Sequence, residues 1–398
     1  MPLLPRSLRA VRVSDESHRV TTFELFFDLV FVFAFTQVTG FMAHAHSFPG
    51  ILQGMIVLGM LWWSWVCYSW LANQTHVDEG IMRLGLSTVM VAMFIASLAI
   101  PESFVDLEGG LSGPLVLALS YVVVRVLHLV LYAFAAMDDK PLQRQVLTTS
   151  VAMVSGSVLI VLGALIGGAS QTWFWLAGLT VDVTLTYLTS ASGNWRVHSA
   201  AHWTERYGLV IILALGESIV AIGVGASQEP VSIPILLGAT FGIALSICLW
   251  WLYFDVTAIA AEHRFAALRG SDRASAAVDA YTYLHLPLVA GIVLSALGVE
   301  DVLAHVDETE GFGILGAFAL LGGTALYLLG GAAFWRRVGG GWKKWRLGGA
   351  GALLLLLPVA AHLSPLGALA LAAGVTGVLV AAESSLYAET RNRVRARL

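Results

Sequence analysis

The amino-acid sequence predicts an all-α integral membrane protein with about twelve transmembrane helices. Of its 398 residues, 58% are hydrophobic and 12% are charged, and the mean hydropathy is +0.79. Soluble globular chains carry about 25% charged residues, so this chain has too little polar surface to cover an exterior that faces water. Its apolar residues also occur in runs of the length that crosses a bilayer, about 20 residues per helix. Lipid is therefore the expected outer solvent.

Twelve apolar runs of this kind follow one another along the chain. The first follows a polar segment and lacks a small-residue cleavage site, so we expect it to be retained as a helix. The predicted helices are 22–43, 51–71, 82–100, 114–134, 148–167, 172–190, 206–225, 233–254, 280–298, 313–334, 347–362 and 365–383.

The positions of the basic residues predict the orientation of these helices. Short cytoplasmic loops collect Lys and Arg. With twelve helices and a cytoplasmic N-terminus, all 22 Lys and Arg except Arg125 fall in inward segments or at their edges. One outward loop is acidic instead, with Glu300, Asp301, Asp307, Glu308 and Glu310. The pattern predicts that both termini are cytoplasmic.

Weak internal similarity favours two six-helix halves. An offset of 181 residues carries Cys67 to Cys248 and Trp70 to Trp251, and helix lengths and loop charges recur in the same order. An even number of helices per half gives parallel repeats. The predicted organisation is a cytoplasmic N-terminal segment (1–21), a first half (22–190), a cytoplasmic connector (191–205), a second half (206–384) and a basic cytoplasmic tail (385–398).

Several classes of function lack their sequence signals. No glycine-rich phosphate loop with a lysine, no nucleophile elbow and no soluble domain is apparent, so we expect no direct use of nucleotide. The two cysteines lie in apolar runs and indicate neither a disulfide framework nor a zinc knuckle. We expect no cofactor and no nucleic-acid partner, and the bilayer is the expected surrounding; the sequence leaves open whether the chain forms a homodimer.

Ionisable residues inside the predicted spans are the candidate site. Each costs about 3 kcal/mol or more at depth, so such residues are functional candidates by default. We expect at least one carboxylate to pair with Arg125, because an unpaired buried guanidinium is very costly. That pair alone would be a structural link between helices; the other groups would then exchange protons or bind a cation. The candidates are Glu24, Asp28, Arg125, His128, Asp182, Glu217 and His285.

These charges are not duplicated by the repeat. Asp28, for example, corresponds to Leu209 in the second half. The asymmetry favours one shared site between the halves rather than two equivalent sites. The tenth to twelfth predicted helices carry almost no polar residue at depth, and we interpret them as scaffold.

A second cluster, His198, His202 and Glu205, precedes the seventh predicted helix. On a continuous helix these residues would share a face, and two imidazoles with a carboxylate are a ligand set for a divalent metal. The alternative is a solvated helix start, at which Glu205 stabilises the positive end of the helix dipole.

Three stretches resemble the signatures of the bacterial low temperature requirement A family. The first is Phe23-Glu24-Leu25-Phe26-Phe27-Asp28-Leu29-Val30-Phe31-Val32. The second contains His202, Glu205, Arg206 and Gly208 and continues to Leu215-Gly216-Glu217-Ser218, and the third is His285-Leu286-Pro287-Leu288-Val289. The resemblance implies a multi-pass protein of the bacterial inner membrane, and it implies no particular biochemical activity.

The leading hypothesis is a secondary transporter or permease for an ion or small solute, coupled to protons or cations. Asp28, Asp182 and Glu217 would bind the coupling ion, Arg125 would be the counter-charge, and His128 and His285 would relay protons. The alternatives are a membrane-embedded enzyme with a metal at the His202 face, a cation channel, and a membrane scaffold or sensor. The sequence favours a non-enzymatic protein without deciding the question.

Overall fold

Helices occupy all twelve of the regions where the sequence predicts them. The computed structural model describes residues 11–190, 195–308, 310–386 and 388. The helices in these parts are α1 Thr22–Ala45, α2 Phe48–Gln74, α3 Gly80–Leu98, α4 Gly113–Ala135, α5 Lys140–Ile166, α6 Gly168–Ser190, α7 Ala200–Ala226, α8 Ile233–Phe254, a short α9 Thr257–Ala267, α10 Gly270–Ala304, α11 Gly313–Arg337, α12 Lys344–His362 and α13 Pro365–Leu386.

Length and hydropathy identify the chain as a multi-pass membrane protein. Within the described residues, eleven spans are long and apolar enough to cross a bilayer, α8 and α9 being counted together. Helix α6 is not one of the eleven, although it has 23 residues. Its five threonines and Asp182 make it more polar than its neighbours.

Several helices extend beyond their apolar runs. Helix α5 begins at Lys140 rather than at 148, because the side chain of Asp139 accepts a hydrogen bond from the Leu142 N–H and caps the first turn. Helix α7 begins at Ala200, so the last six residues of the predicted connector 191–205 are helical. Hydropathy marks the part of a helix that lies in lipid, and the backbone continues as a helix for as long as its polar ends are capped or solvated. Residues 191–194 of the connector and 389–398 of the predicted tail lie outside the described residues.

The chain forms two compact units. The N-terminal unit comprises the residues up to Phe41, Leu52–Arg206 and Arg269–Ser275, and the C-terminal unit comprises Met42–Ile51, Tyr207–Leu268 and the residues from Ala276 onward. In the first unit, α3 packs on α4, α4 on α5 and α5 on α6. In the second unit, α10 packs on α11, α8 on α13, and α12 on both α11 and α13. The parallel repeat and the cytoplasmic termini stay predictions.

The N-terminal segment is held against the end of α2. Val13 and Thr75 form an isolated antiparallel bridge, and the Ser14 N–H donates to the Gln74 carbonyl at 3.0 Å. This pairing fixes the path of residues 12–20, which lead directly into α1. It thereby places His18 in the interior of the unit, where 6% of its surface is exposed.

Glycines bring α5 and α6 into backbone contact. Gly167 and Gly168 have φ values of 69° and 60°, a conformation that glycine adopts without strain, and they let α6 begin directly after α5. At Gly156 a Cβ atom would lie 2.6 Å from the Gly178 carbonyl oxygen and 2.8 Å from the Asp182 Cβ. Gly156 therefore permits the close approach of α6 that positions Asp182.

Replacing Gly156 with alanine is expected to lower the Tm of the purified protein in detergent. The added methyl group overpacks the α5–α6 contact, which costs about 1–3 kcal/mol. Gly40→Ala is the matched control, because a Cβ at helical Gly40 meets nothing within 4 Å. Equal Tm values for the two variants would contradict the close-packing role.

Candidate functional site

A buried arginine, Arg206, lies at the centre of the strongest polar cluster. Because α7 begins at Ala200, Arg206 is in the second turn of that helix, and 1% of it is exposed. Arg206 is thus a second buried arginine beside Arg125, the cation that the sequence places at membrane depth. Arg206 belongs to the second family signature, which was a signal in the sequence. The predicted helix began at residue 206, however, and therefore placed this side chain at a solvated edge.

The guanidinium of Arg206 lies between two carboxylates of α1. Its Nη1 donates to Asp28 Oδ2 at 2.9 Å, and its Nε lies 3.6 Å from Glu24 Oε2. Both carboxylates are 1% exposed. The indole of Trp65 completes the cluster, since its Nε1 donates to Asp28 Oδ1 at 2.9 Å and its ring centroid lies 5.2 Å from the guanidinium carbon. Glu24 and Asp28, which are four residues apart, therefore share one face of α1.

Glu24 has a local structural role as well. Its Oε1 accepts hydrogen bonds from the N–H and the hydroxyl of Thr21, both at 3.1 Å, and the Glu24 N–H donates to Thr21 Oγ1 at 3.3 Å. This reciprocal arrangement is a capping box at the start of α1. With the His202 bond described next, three donors stabilise the charged form of Glu24.

The hydrogen bonds around His202 determine which of its nitrogens carries the proton. The Asn73 amide is oriented by two backbone contacts, since its oxygen accepts from the His198 N–H at 2.8 Å and its nitrogen donates to the Ser199 carbonyl at 2.8 Å. The same amide nitrogen lies 3.2 Å from His202 Nδ1, which must therefore accept. The proton of neutral His202 is then on Nε2, which donates to Glu24 Oε2 at 2.8 Å.

His18 stacks on His202 with a ring-centroid distance of 4.6 Å. Its Nε2 is buried and has no hydrogen-bond partner among the described residues. Burial lowers the pKa of His18 to about 4. His18 is therefore neutral at physiological pH.

One atom each from His18, Glu24 and His202 lie within 4.8 Å of one another, the spacing of a metal site. The surrounding hydrogen bonds do not favour a metal. A histidine that ligates a metal through Nε2 normally donates its Nδ1–H to a carbonyl or carboxylate, whereas His202 Nδ1 faces a donor, the Asn73 amide. The arrangement suits a neutral imidazole that donates a hydrogen bond to Glu24.

The predicted metal set of His198, His202 and Glu205 does not share a face. His198 precedes α7, and its Nε2 lies 3.0 Å from Gln74 Oε1. Glu205 is partly exposed, with its Oε2 near Arg19 and accepting from the Val20 N–H at 3.2 Å. Only His202 of the three is fully buried. The geometry fails because the chain is not helical at His198.

Charge is unbalanced in the Arg206 cluster. Two carboxylates, Glu24 and Asp28, face one guanidinium among the described residues that contact them. With His18 and His202 neutral, one negative charge is in excess. A buried charge without compensation costs several kcal/mol, so the cluster favours the binding of one proton or one small cation.

Arg125 and Asp182 form a separate ion pair in the same unit. Arg125 Nη2 donates to Asp182 Oδ2 at 2.7 Å, and both side chains are at most 2% exposed. Arg125 Nη1 also donates to Cys67 Sγ. His128 lies one turn along α4 and packs edge-on against Tyr68 and Tyr132. The expected partner of Arg125 is therefore Asp182, and this pair is balanced by itself.

The remaining candidates belong to the C-terminal unit. Glu217 is buried on α7, with 1% of its surface exposed. His285 Nδ1 donates to the Ala280 carbonyl at 3.0 Å, and Nε2 accepts from the Tyr253 hydroxyl at 2.8 Å. His285 is thus a core histidine with a hydrogen-bond partner at each ring nitrogen. Of the motif glycines, Gly208 faces the Phe254 ring, and Gly216 has open space at its Cβ position.

Residues 19–381 match the model of the bacterial low temperature requirement A protein (LtrA) family. The chain belongs to the LtrA family. An uncharacterized protein of Rhizobium meliloti (strain 1021), RA0937, is 30% identical over 321 residues, which cover 77% of this chain and 75% of that protein. No solved structure matches the chain.

Two stretches that carry the LtrA resemblance meet in the Arg206 cluster. Glu24 and Asp28 come from the first, and His202 and Arg206 come from the second. Residues about 180 positions apart in the sequence are therefore joined by hydrogen bonds in one buried network. The LtrA motifs describe a physical cluster as well as a sequence pattern.

Removing Arg125 alone is expected to destabilise the protein more than removing the whole pair. Arg125→Leu leaves the Asp182 carboxylate buried without its partner, which costs about 3–5 kcal/mol, whereas Arg125→Leu with Asp182→Leu removes both charges. The measurement is the Tm of each variant in the same detergent. A double variant as unstable as the single one would show that the pair has a role beyond mutual neutralisation.

Acid is expected to destabilise the wild type more than a His18→Phe variant. The unfolded chain binds a proton at the ordinary histidine pKa of 6.5, whereas folded His18 does so only near pH 4. Stability is therefore lost as the pH falls from 6.5 toward 4. Phenylalanine keeps the aromatic packing and removes the titration, so the Tm of the variant should fall less over this interval. Parallel Tm curves would contradict the assignment.

Proposed function

We propose that this LtrA protein is a secondary transporter whose coupling ion is a proton held by the Arg206 cluster. The observation that carries the proposal is the excess of one carboxylate over the buried cations in that cluster. A proton can neutralise this excess negative charge, because it needs no cavity and no change in the backbone. The absence of sequence signals for nucleotide use supports a transporter that is driven by an ion gradient.

Asp28 is the proposed proton carrier. Glu24 accepts from Thr21 and His202 and is committed to the capping box. Asp28 accepts from Trp65 and Arg206 among the described residues, so its charged form is stabilised by fewer donors. Protonation of Asp28 would weaken its bond to Arg206 and leave the guanidinium to Glu24.

This exchange of partners gives the cluster two states. With Asp28 charged, Arg206 joins the second turn of α1 to α7; with Asp28 protonated, it is drawn toward Glu24 in the first turn of α1. An ion can drive a conformational change only if it binds the two conformations with different affinity. Cycling between these pairings would supply that difference in the LtrA protein.

The direct test measures proton binding and needs no knowledge of the solute. Infrared difference spectra of the purified protein across a pH titration should show the carbonyl stretch of a protonated carboxyl group. Asp28→Asn should abolish that band. Glu205→Gln is the control, because Glu205 is partly exposed and outside the buried cluster, and it should leave the band unchanged.

Transport is then tested in proteoliposomes that contain a pH-sensitive dye, with amino acids, organic acids and metal cations as a solute panel. A solute that moves protons through the wild type and Glu205→Gln, but not through Asp28→Asn, is the expected result. Flux driven equally well by a sodium gradient without proton movement would replace the proton by a cation. Unchanged proton-coupled flux in Asp28→Asn would remove Asp28 from the mechanism.

A metal-dependent membrane enzyme is the second candidate, favoured by the proximity of His18, Glu24 and His202. It predicts a stoichiometric divalent metal in protein purified without chelator, lost on His18→Ala and on His202→Ala. The Asn73 contact argues against it, because that contact assigns the acceptor role to His202 Nδ1. Metal below stoichiometric amounts in the wild type would exclude this candidate.

A further inference from the structure

The C-terminal unit contains a cavity of about 490 Å³. It lies among the end of α8, the short helix α9, the loop before α12, and α13. Its size is that of a small-molecule site. The residues that decide its chemistry are Arg264, Trp335, Lys343, Arg346, Glu383 and Asp255.

The inner wall of the cavity is a buried ion pair. Arg346 is 3% exposed, and its Nη2 donates to Glu383 Oε2 at 3.0 Å and to the Leu252 carbonyl at 2.6 Å. Its Nε donates to Glu383 Oε1 at 3.1 Å. Arg346 and Glu383 therefore neutralise each other and join α8, α12 and α13.

Two further cations meet at one aromatic ring. The guanidinium carbon of Arg264 lies 4.6 Å from the centroid of Trp335, and Lys343 Nζ lies 4.8 Å from it. Lys343 Nζ lies 3.9 Å from Glu383 Oε2, and that carboxylate is already bound by Arg346. Burial, followed by the charge of Arg346, lowers the pKa of Lys343 to about 7. An anion in the cavity would relieve this repulsion.

The charge of the lining specifies a singly charged anion. The described lining residues include three cationic side chains, Arg264, Lys343 and Arg346, against two carboxylates, Asp255 and Glu383. One positive charge is in excess when Lys343 is protonated and His263 is neutral, and an anion in the cavity favours the protonated form of Lys343. A phosphodiester has a single negative charge and the oxygen acceptors that ammonium and guanidinium groups bind.

The surroundings favour a phosphodiester that is attached to a lipid. Trp342 and Trp345 are 56% and 51% exposed beside the cavity, and tryptophan is enriched at membrane interfaces. Helix α12 continues from this loop with outward apolar residues such as Leu355, which is 81% exposed. Basic pockets at the cytoplasmic ends of transmembrane helices bind anionic lipid headgroups, and the sequence predicts that this loop is cytoplasmic.

We propose that this cavity binds the phosphodiester headgroup of an anionic phospholipid, with Lys343 and Arg264 contacting the phosphate. Trp335 holds the two cations in place, and the Arg346–Glu383 pair forms the floor. The acyl chains would extend along the apolar outer surface of α12. The site is independent of the proton cluster in the N-terminal unit.

The test is a titration of the full-length protein in mild detergent with dioleoylphosphatidylglycerol, followed by Tm. The lipid should raise the Tm of the wild type, and dioleoylphosphatidylcholine should not. Lys343→Gln and Arg264→Gln should each weaken the effect about tenfold in lipid concentration, since each removes a charge-assisted hydrogen bond. Lys344→Gln is the matched control, because Lys344 is the exposed neighbour that does not line the cavity.

Three outcomes would overturn the proposal. One is an equal loss in Lys343→Gln and Lys344→Gln, which would indicate general attraction to a basic surface. Another is equal stabilisation by the zwitterionic lipid. The third is that glycerol 3-phosphate stabilises the protein at the same concentrations as phosphatidylglycerol. The cavity would then be an anion site for a soluble phosphate ester and not for a lipid. The two variants must match the wild type in Tm without lipid, which separates lost binding from lost folding.

Discussion

The contact between the Arg206 guanidinium and the two carboxylates of α1 is the interaction on which the N-terminal unit depends. A guanidinium cannot lose its proton in a protein, so a fully buried arginine requires anionic partners. Asp28 and Glu24 supply them from one helix face. Around this centre, Trp65 and Ser69 of α2 add hydrogen bonds, and His202 of α7 binds Glu24. The positions of three helices and of the N-terminal segment are tied to one buried charge.

The two ion clusters of this unit differ in their balance of charge, and the proposed function rests on that difference. Arg125 and Asp182 are one cation and one anion at 2.7 Å, and neither needs a further ion. The Arg206 cluster has one carboxylate more than it has fixed cations among the described residues, and in the proposed function a proton supplies the missing positive charge. A balanced pair joins two helices permanently, whereas an unbalanced cluster changes its hydrogen bonds when a proton arrives. Only the second has the property that ion coupling requires.

In the C-terminal unit, a charged cavity lies among helices that have few polar residues. The helices expected to be scaffold, now α11 to α13, contribute Trp335, Arg346 and Glu383 to a charged cavity. These residues lie at helix ends, where an apolar run gives way to an interface. Charged side chains at helix ends avoid the free-energy cost of a charge at the middle of the membrane. That cost is the reason why the sequence analysis selected groups such as Asp182 and not these residues.

Composition and hydropathy alone determined that this chain is a multi-pass membrane protein and where its helices lie, because the cost of exposing polar backbone to lipid leaves few alternatives. The sequence also required a carboxylate partner for Arg125 and put Glu24 and Asp28 on one face, since helical periodicity is local. Only the tertiary structure decided that Asp182 is that partner, that Arg206 is buried, and that His202 hydrogen-bonds to Glu24 while His198 lies outside α7. These outcomes depend on where α7 begins and how each helix is rotated about its axis. The start of α7 and the rotation of each helix are set by packing and hydrogen bonds between segments that are far apart in the chain. The pattern of residues along a single helix carries no information about those contacts.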